Sequence, residues 1–338
     1  MNNDKQQTVP QILIKLAHLL GTEMNTGRLD IPEKFGKGYC VGYIFNKHIQ
    51  MIISNYELNE DIDVENPYID ASKRVIFFKF QNIFPKTEKP SFRIANIANP
   101  NSKEAADCKS ATASESIPSV LIATSRLNTD DIISIHTNTA TINIEVDADY
   151  LNGLFASSEK SPVLQSLLQN TQPLLFEQVI YPSLHKNVTE IVNESVEETF
   201  KLFFLRIKAE ELVCRLLMEL EKRNEKYLYA LNIHDIQTIY KIKELILEHP
   251  ETPPTIHGLA ICANMSPTKL KRLFKQIFGD SIFSYYQEFR MKEAARLLKD
   301  EKLSVSDVGY RLGFTNLSHF SRVFHEHIGM KPKQYSKS

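Results

Sequence analysis

The chain has 338 residues, 42% hydrophobic and 24% charged, with a formal net charge of −1. That length allows two or three domains with cores of their own, the composition is ordinary for a soluble globular protein, and no apolar run is long enough to cross a bilayer. The four cysteines, Cys40, Cys108, Cys214 and Cys262, form no CxxC pair, which excludes a zinc knuckle, a redox dithiol and a disulfide framework and fits a reducing cytoplasm.

The near-neutral total conceals a split. Leu231 to Ser338 holds 16 Lys and Arg against 11 Asp and Glu, whereas the first 230 residues hold 24 against 30. A basic C-terminal part behind a mildly acidic one is the asymmetry expected when only the second meets phosphate. All four cysteines read as small buried hydrophobes, Cys214 and Cys262 inside helical patterns.

The first stretch, Pro10 to Leu20, is apolar but contains Lys15 and His18, and reads as an amphipathic helix, not a signal peptide. A turn-rich linker follows. Short β-type runs then come at Tyr39–Phe45, Ile49–Tyr56, Arg74–Phe80, Phe92–Ile97, Ser119–Ala123, Ile132–His136 and Thr141–Val146. They are rich in Ile, Val, Phe and Tyr and separated by Asn, Asp, Pro and Gly, so they predict a sandwich or small barrel. Asn99 to Pro118 carries no aromatic residue and reads as a surface loop, either plain disorder or a lid over the barrel mouth. An Ile, Phe, Tyr and Met lining suits a small effector or simple core, and His48 and His136 lack the clustered partners of a metal site.

From Asp147 the periodicity turns helical, with amphipathic stretches near Tyr150–Phe155, Pro162–Leu168, Pro173–Ile180 and Leu184–Val192. A long one follows from Val196 to Asn224, striped by Phe200, Phe203, Phe204, Ile207, Leu212, Leu216, Leu217 and Leu220. Such a stripe packs on its own domain or also pairs with its copy in a second subunit.

The last hundred residues hold two helix-turn-helix patterns. Asp235 can cap a helix running to Leu247. Thr255 caps the next, with Ile256, Leu259, Ala260 and Ala263 on its buried side. After Asn264-Met265, Ser266 caps a helix with Pro267 at its first position, where the missing N–H costs nothing. Leu270, Leu273, Phe274 and Phe278 face inward there, leaving Thr268, Lys271, Arg272 and Lys275 outside. Ser281 starts a longer connecting helix with Phe283, Tyr286, Phe289, Ala294 and Leu298 buried. In the second pattern the Ser304 hydroxyl and Asp307 carboxylate can each accept a first-turn N–H, Gly313 supplies a left-handed stop, and a helix after Asn316 buries Phe320, Val323, Phe324 and Ile328. A connector of ~27 Å could set two recognition helices about one DNA turn apart.

With SPTKLKRLFKQIFG, RMKEAARLL and LSVSDVGYRLGFTNLSHFSRVFHEHIGMKPKQY in order, the chain resembles the AraC/XylS family of bacterial transcription regulators over roughly Asp235 to Tyr335. It departs at Gly258, where the family often has an acidic residue. The resemblance implies base reading by Thr268, Lys271 and Arg272 in one major groove and by Leu317, Ser318, His319 and Arg322 in the next; the alternative is that these are plain solvated faces. Lys269, Lys275, Lys331 and Lys333 are better placed for phosphates. Many members place a cupin-like barrel and dimerising helices ahead of the DNA reader, and GYIFNKHIQMIISNYELNEDI resembles the branch with the pyochelin-responsive regulators.

The expectation is therefore an α+β protein with three parts: a β-rich, cupin-like effector domain over 1–150, a helical dimerisation or linker region over 151–228, and an all-α domain over 229–338 with two helix-turn-helix motifs joined by a linker helix. It is expected to be a cytoplasmic, sequence-specific DNA-binding transcription regulator, an activator responding to a small molecule. The alternatives are an effector-independent DNA binder or one controlled by a protein partner. Double-stranded DNA, a small-molecule effector, RNA polymerase and a second copy are the expected partners, with no membrane, metal or cofactor. Enzyme fusions to such readers need clustered zinc cysteines or a nucleophile elbow, and the sequence has neither, so no catalytic residue is assigned.

Overall fold

A computed structural model describes residues 9–59, 74–83, 118–127, 138–155, 160–223 and 228–337. The expected strands at Phe92–Ile97 and Ile132–His136, the loop 99–117, Cys108 and His136 lie outside the described residues. The chain divides into two compact units, the second taking in His234 to Ser338.

The first unit is built on one seven-stranded antiparallel sheet ordered β1-β2-β3-β6-β4-β5-β7. Its strands are β1 (Arg28–Asp30), β2 (Gly36–Asn46), β3 (Ile49–Leu58), β4 (Val75–Gln81), β5 (Ser119–Thr124), β6 (Asn138–Asp147) and β7 (Leu175–Val179). Alternation along β3 sends Ile49, Met51 and Ile53 to one face and Ile52 to the other. On the second face α1 (Gln11–Leu20) packs Leu13, Leu16 and Leu20 against Leu29, Cys40 and Ile52. The first face is covered by α2 (Ala148–Leu154), α3 (Pro162–Gln169), α4 (Pro182–Asn193) and α5 (Glu198–Glu221). With both faces covered, β5 is buried at every position, which explains its unbroken apolar reading.

Two strands escaped the sequence reading. Pro173–Ile180, expected as helix, contains β7 instead, paired residue for residue with β5 from Ser119↔Val179 to Ala123↔Leu175. Its apolar run fits either periodicity, and the open edge of β5 decided between them. The Thr124 hydroxyl holds the approach, accepting from the Leu174 N–H and donating to the Gln172 carbonyl, each at 2.9 Å. β1 is a three-residue edge strand in the turn-rich linker, too short to carry a pattern.

The long helix α5 also differs from expectation. Leu205, Leu212, Leu216, Leu217 and Leu220 are buried as a stripe, but Phe200, Phe203 and Ile207 are exposed, the Phe203 side chain by 65%. Cys214 and Met218 continue that outer face. Cys262 is exposed as well, so of the described cysteines only Cys40 is the buried hydrophobe expected of all.

The second unit is all helical: α6 (Ile233–Glu248), α7 (Ile256–Cys262), α8 (Pro267–Phe278), α9 (Ile282–Lys299), α10 (Val305–Arg311), α11 (Leu317–Ile328) and α12 (Pro332–Tyr335). Met291, Ala294 and Leu298 of α9 pack with Val308, Phe320 and Phe324 of α10 and α11. Rings of α8 and α9 meet edge-on where Phe274 and Tyr285 lie 5.5 Å apart. On α9, Phe283 is exposed against expectation, and Arg290, a residue not expected inside, is buried. α6 begins two residues ahead of Asp235, which therefore sits inside the first turn and bonds Lys269 Nζ at 2.8 Å instead of capping.

Candidate nucleic-acid interface

Each helix-turn-helix is positioned by the same local devices. α7 starts where the Thr255 hydroxyl accepts the Gly258 N–H, and α8 where the Ser266 hydroxyl accepts that of Lys269. Between them Asn264 is left-handed at φ +48°, and the Met265 N–H returns to the Ala260 carbonyl. In the second motif the Ser304 hydroxyl accepts the Asp307 N–H, and Asn316 Oδ1 accepts those of Ser318 and His319 at 2.9 and 3.1 Å. Gly313 is left-handed at φ +76°, and the Phe314 N–H returns to the Gly309 carbonyl. These six-residue closures satisfy the carbonyls that a helix end leaves orphaned, so each turn is stiff. The Asp307 carboxylate does not cap as expected; its Oδ2 accepts from the Ser304 hydroxyl.

On α8 the buried face is Leu270, Leu273, Phe274, Ile277 and Phe278, and Thr268, Lys271, Arg272 and Lys275 are exposed. Lys269 is only half exposed and its ammonium is held by the Asp235 carboxylate. To reach a phosphate it would first have to leave that partner.

On α11, Phe320, Val323 and Phe324 are buried, and Ser318, His319 and Arg322 are exposed. Leu317 is half buried because it lies over Gly309, where an added Cβ would come 2.6 Å from its Cδ2. That glycine lets α10 and α11 approach closely. Leu317, Ser318, Ser321, Arg322, His325, Glu326 and Lys331 line one concave surface, which joins Lys331 to the outer face of the helix. Ser321 and His325 were missed in sequence; their spacing of four from Leu317 and Ser321 was the available signal. Lys333 is exposed on α12. Both outer faces are polar and carry arginine, whose fork suits two acceptors on guanine.

The first unit carries a different feature. Clefts of about 910 and 420 Å³ meet around Tyr43, Glu198 and Lys201, where β2 faces the start of α5. Tyr43 stacks beside Phe45, Arg28 lies 4.0 Å over the Tyr39 ring, and Lys201 pairs with Glu198 at 3.1 Å. Burial pushes the Tyr43 hydroxyl above its ordinary range. His48 stacks on Tyr150 with 4.6 Å between ring centres. Among the described residues no group of three or more His, Cys, Asp or Glu could hold a metal ion, and no helix is long and apolar enough to cross a membrane.

A family profile described as a helix-turn-helix domain matches residues 259–338. The regulatory protein PchR of Pseudomonas aeruginosa is 37% identical over 71 residues, 21% of this chain and 24% of that one. The transcriptional regulator GbdR of the same species is 32% identical over 108 residues, 32% of this chain and 29% of that one. The arabinose operon regulatory protein of Salmonella typhimurium is 34% identical over 71 residues, 21% of this chain and 25% of that one. The chain thus spans about a quarter of the length of the curated relatives it matches. The C-terminal part of this chain is an AraC-type helix-turn-helix domain, of the kind carried by the transcriptional regulators of the AraC family.

Proposed function

We propose that the chain is a sequence-specific DNA-binding transcription regulator, an activator whose first unit responds to a small molecule. The observation that carries this reading is the pair of equally built helix-turn-helix motifs, each presenting an arginine-bearing outer face, on α8 and α11. Thr268, Lys271 and Arg272 read one major groove; Leu317, Ser318, His319 and Arg322 read the next. Lys275, Lys331 and Lys333 meet phosphates, and Lys269 does so only by leaving Asp235. Fifty residues separate the starts of α8 and α11 (267 and 317), and two unlike readers on one chain suit an asymmetric site.

The division into 1–150, 151–228 and 229–338 and a cupin-like character for the sheet belong to the same proposal. The clefts beside β2 and α5 offer the effector a mixed aromatic and charged wall. The outer face of α5, with Phe200, Phe203, Ile207, Cys214 and Met218 at heptad-like spacing, supports pairing with a second copy. Action in the cytoplasm and contact with RNA polymerase follow from the activator role.

Selection of bound duplexes from random-sequence DNA by the full-length chain tests the central claim, with a shared bipartite motif as the expected result. Binding without sequence preference would refute it. Adding candidate metabolites then separates an effector-gated regulator, whose affinity shifts, from an effector-independent one. For the second copy, Phe203→Glu should convert a sedimenting dimer to monomer; a monomeric parent chain removes the pairing.

A further inference from the structure

RMKEAARLL forms the second half of α9, and its first residue, at the middle of the helix, is a buried cation. Arg290 is 4% exposed. Its Nε donates to the Leu312 carbonyl at 3.1 Å, Nη2 donates to the same oxygen, and Nη1 donates to Gln287 Oε1 at 3.1 Å. The guanidinium lies 4.0 Å over the Phe314 ring and 5.1 Å from that of Tyr286. Its partners are thus carbonyl and amide oxygens and aromatic faces. Burying a cation in this way is a poor route to stability, since an apolar residue of similar volume often does as well or better. What the arrangement supplies is direction, because a planar fork holds one carbonyl at a fixed angle.

That carbonyl belongs to the residue capping α10, immediately before the left-handed Gly313 that turns the chain into α11. One turn back on α9, the Tyr286 hydroxyl donates to the Pro250 carbonyl at 2.8 Å. The next residue, Glu251, has its backbone against Gly313. Three segments therefore meet at one point: the segment leading into the first helix-turn-helix, the middle of the connecting helix, and the turn of the second. To one side of that point α9 holds α8 through Tyr285, and to the other it holds α11 through Met291 and Ala294.

We propose that Arg290, with Tyr286 as its second tie, is a positioning residue that fixes the separation and angle of the two recognition helices and so sets the half-site spacing the protein accepts. The inference rests on the reading of α8 and α11 as DNA readers, but the geometry it claims exists without DNA. A specificity of spacing arises because a rigid pair loses contacts on any duplex whose grooves do not match its own separation, unless the duplex deforms at a cost.

The test uses the full-length chain with its four cysteines replaced and spin labels attached at Lys275→Cys and Glu326→Cys, one on each recognition helix. Pulsed electron resonance should give one narrow distance in the parent and a broadened or displaced one in Arg290→Met, with Arg290→Lys recovering part of the narrowing. In parallel, duplexes selected by the parent are lengthened by two base pairs between half-sites. The parent should lose about a hundredfold in affinity and Arg290→Met less than about tenfold relative to its own best site. A folded Arg290→Met with the parent's distance distribution and spacing penalty overturns the proposal. Should Arg290→Met fail to fold, Tyr286→Phe decides, since it removes one hydrogen bond and keeps the ring: broadening supports the tie, and an unchanged distribution there and in Arg290→Lys overturns it. If the parent shows no sequence preference, the DNA reading fails, while the label distances still decide whether Arg290 positions the helices.

Discussion

Replacing Gly313 by alanine tests how tightly the second turn is built. At φ +76° an L-residue incurs the left-handed penalty, ~1–2 kcal/mol. A Cβ there would also lie 2.9 Å from the carbonyl carbon of Glu251 and 3.2 Å from its Cα, and closer still to its carbonyl oxygen. These are backbone atoms, which cannot swing aside as a side chain would, so overpacking adds ~1–3 kcal/mol. The sum is about 2–5 kcal/mol of local stability. Gly329 provides the control: its φ is +81°, yet nothing lies within 4 Å of its added Cβ. Gly329→Ala should therefore cost only the left-handed term, ~1–2 kcal/mol. Amide exchange followed by mass spectrometry on peptides spanning α10 and α11 reads both variants in the full chain. The extra ~1–3 kcal/mol should make exchange in Gly313→Ala about 5- to 150-fold faster than in Gly329→Ala. Equal acceleration would show that the Glu251 backbone yields freely and that this turn is not stiff.

Asn316→Ala removes the acceptor for two N–H groups and should cost ~1 kcal/mol, seen as faster exchange at the start of α11 with α8 unaffected; uniform acceleration would contradict a local cap. Arg272→Ala should weaken binding to selected DNA by ~1–3 kcal/mol and relax preference at one base step, while Lys275→Ala should weaken all sequences alike and lower the salt slope by about 1. Equal loss on random DNA for Arg272→Ala would remove its base-reading role. Burial pushes the Cys40 thiol from an ordinary 9.0 to about 12. Because the folded state holds the proton more tightly than the unfolded one, stability of the first unit is intact below about pH 9 and declines from there towards pH 12 as the unfolded chain ionises. Thermal unfolding of the parent against Cys40→Ala over that window reads it, and parallel pH profiles would refute it.

The helix-turn-helix domain was legible because its signals are local. Ser266 and Ser304 cap the helices they were read to cap, Ser281 and Asn316 cap helices read only to start there, Gly279 and Gly313 end theirs in the left-handed region, and the outer faces fall where the 3.6-residue period puts them. Capping and periodicity involve atoms within four residues of one another, so no knowledge of the remaining chain is needed. Asp235 lies beyond that reach. Within its own helix its side chain suits a cap, whereas Lys269, 34 residues on, took it.

In the first unit the decisive partners are remote. β7 is a strand because the edge of β5, some fifty residues earlier, lay open beside it. The rotation of α5 was set by where the sheet lay, so Leu205 and Ala209, absent from the stripe read in sequence, went in, and Phe200, Phe203 and Ile207, members of it, stayed out. On α9, Phe283 stayed exposed although the same helical face buries Tyr286 and Arg290 further along. By itself, then, the sequence determined the elements whose hydrogen bonds and periodic faces close within a turn or two: two helix-turn-helix motifs, their outer faces and the connecting helix. Only the tertiary structure decided which apolar stripe was buried, which ambiguous run became a strand and where a lone cation was enclosed, because burial and sheet pairing are chosen by groups that meet only once the chain has folded.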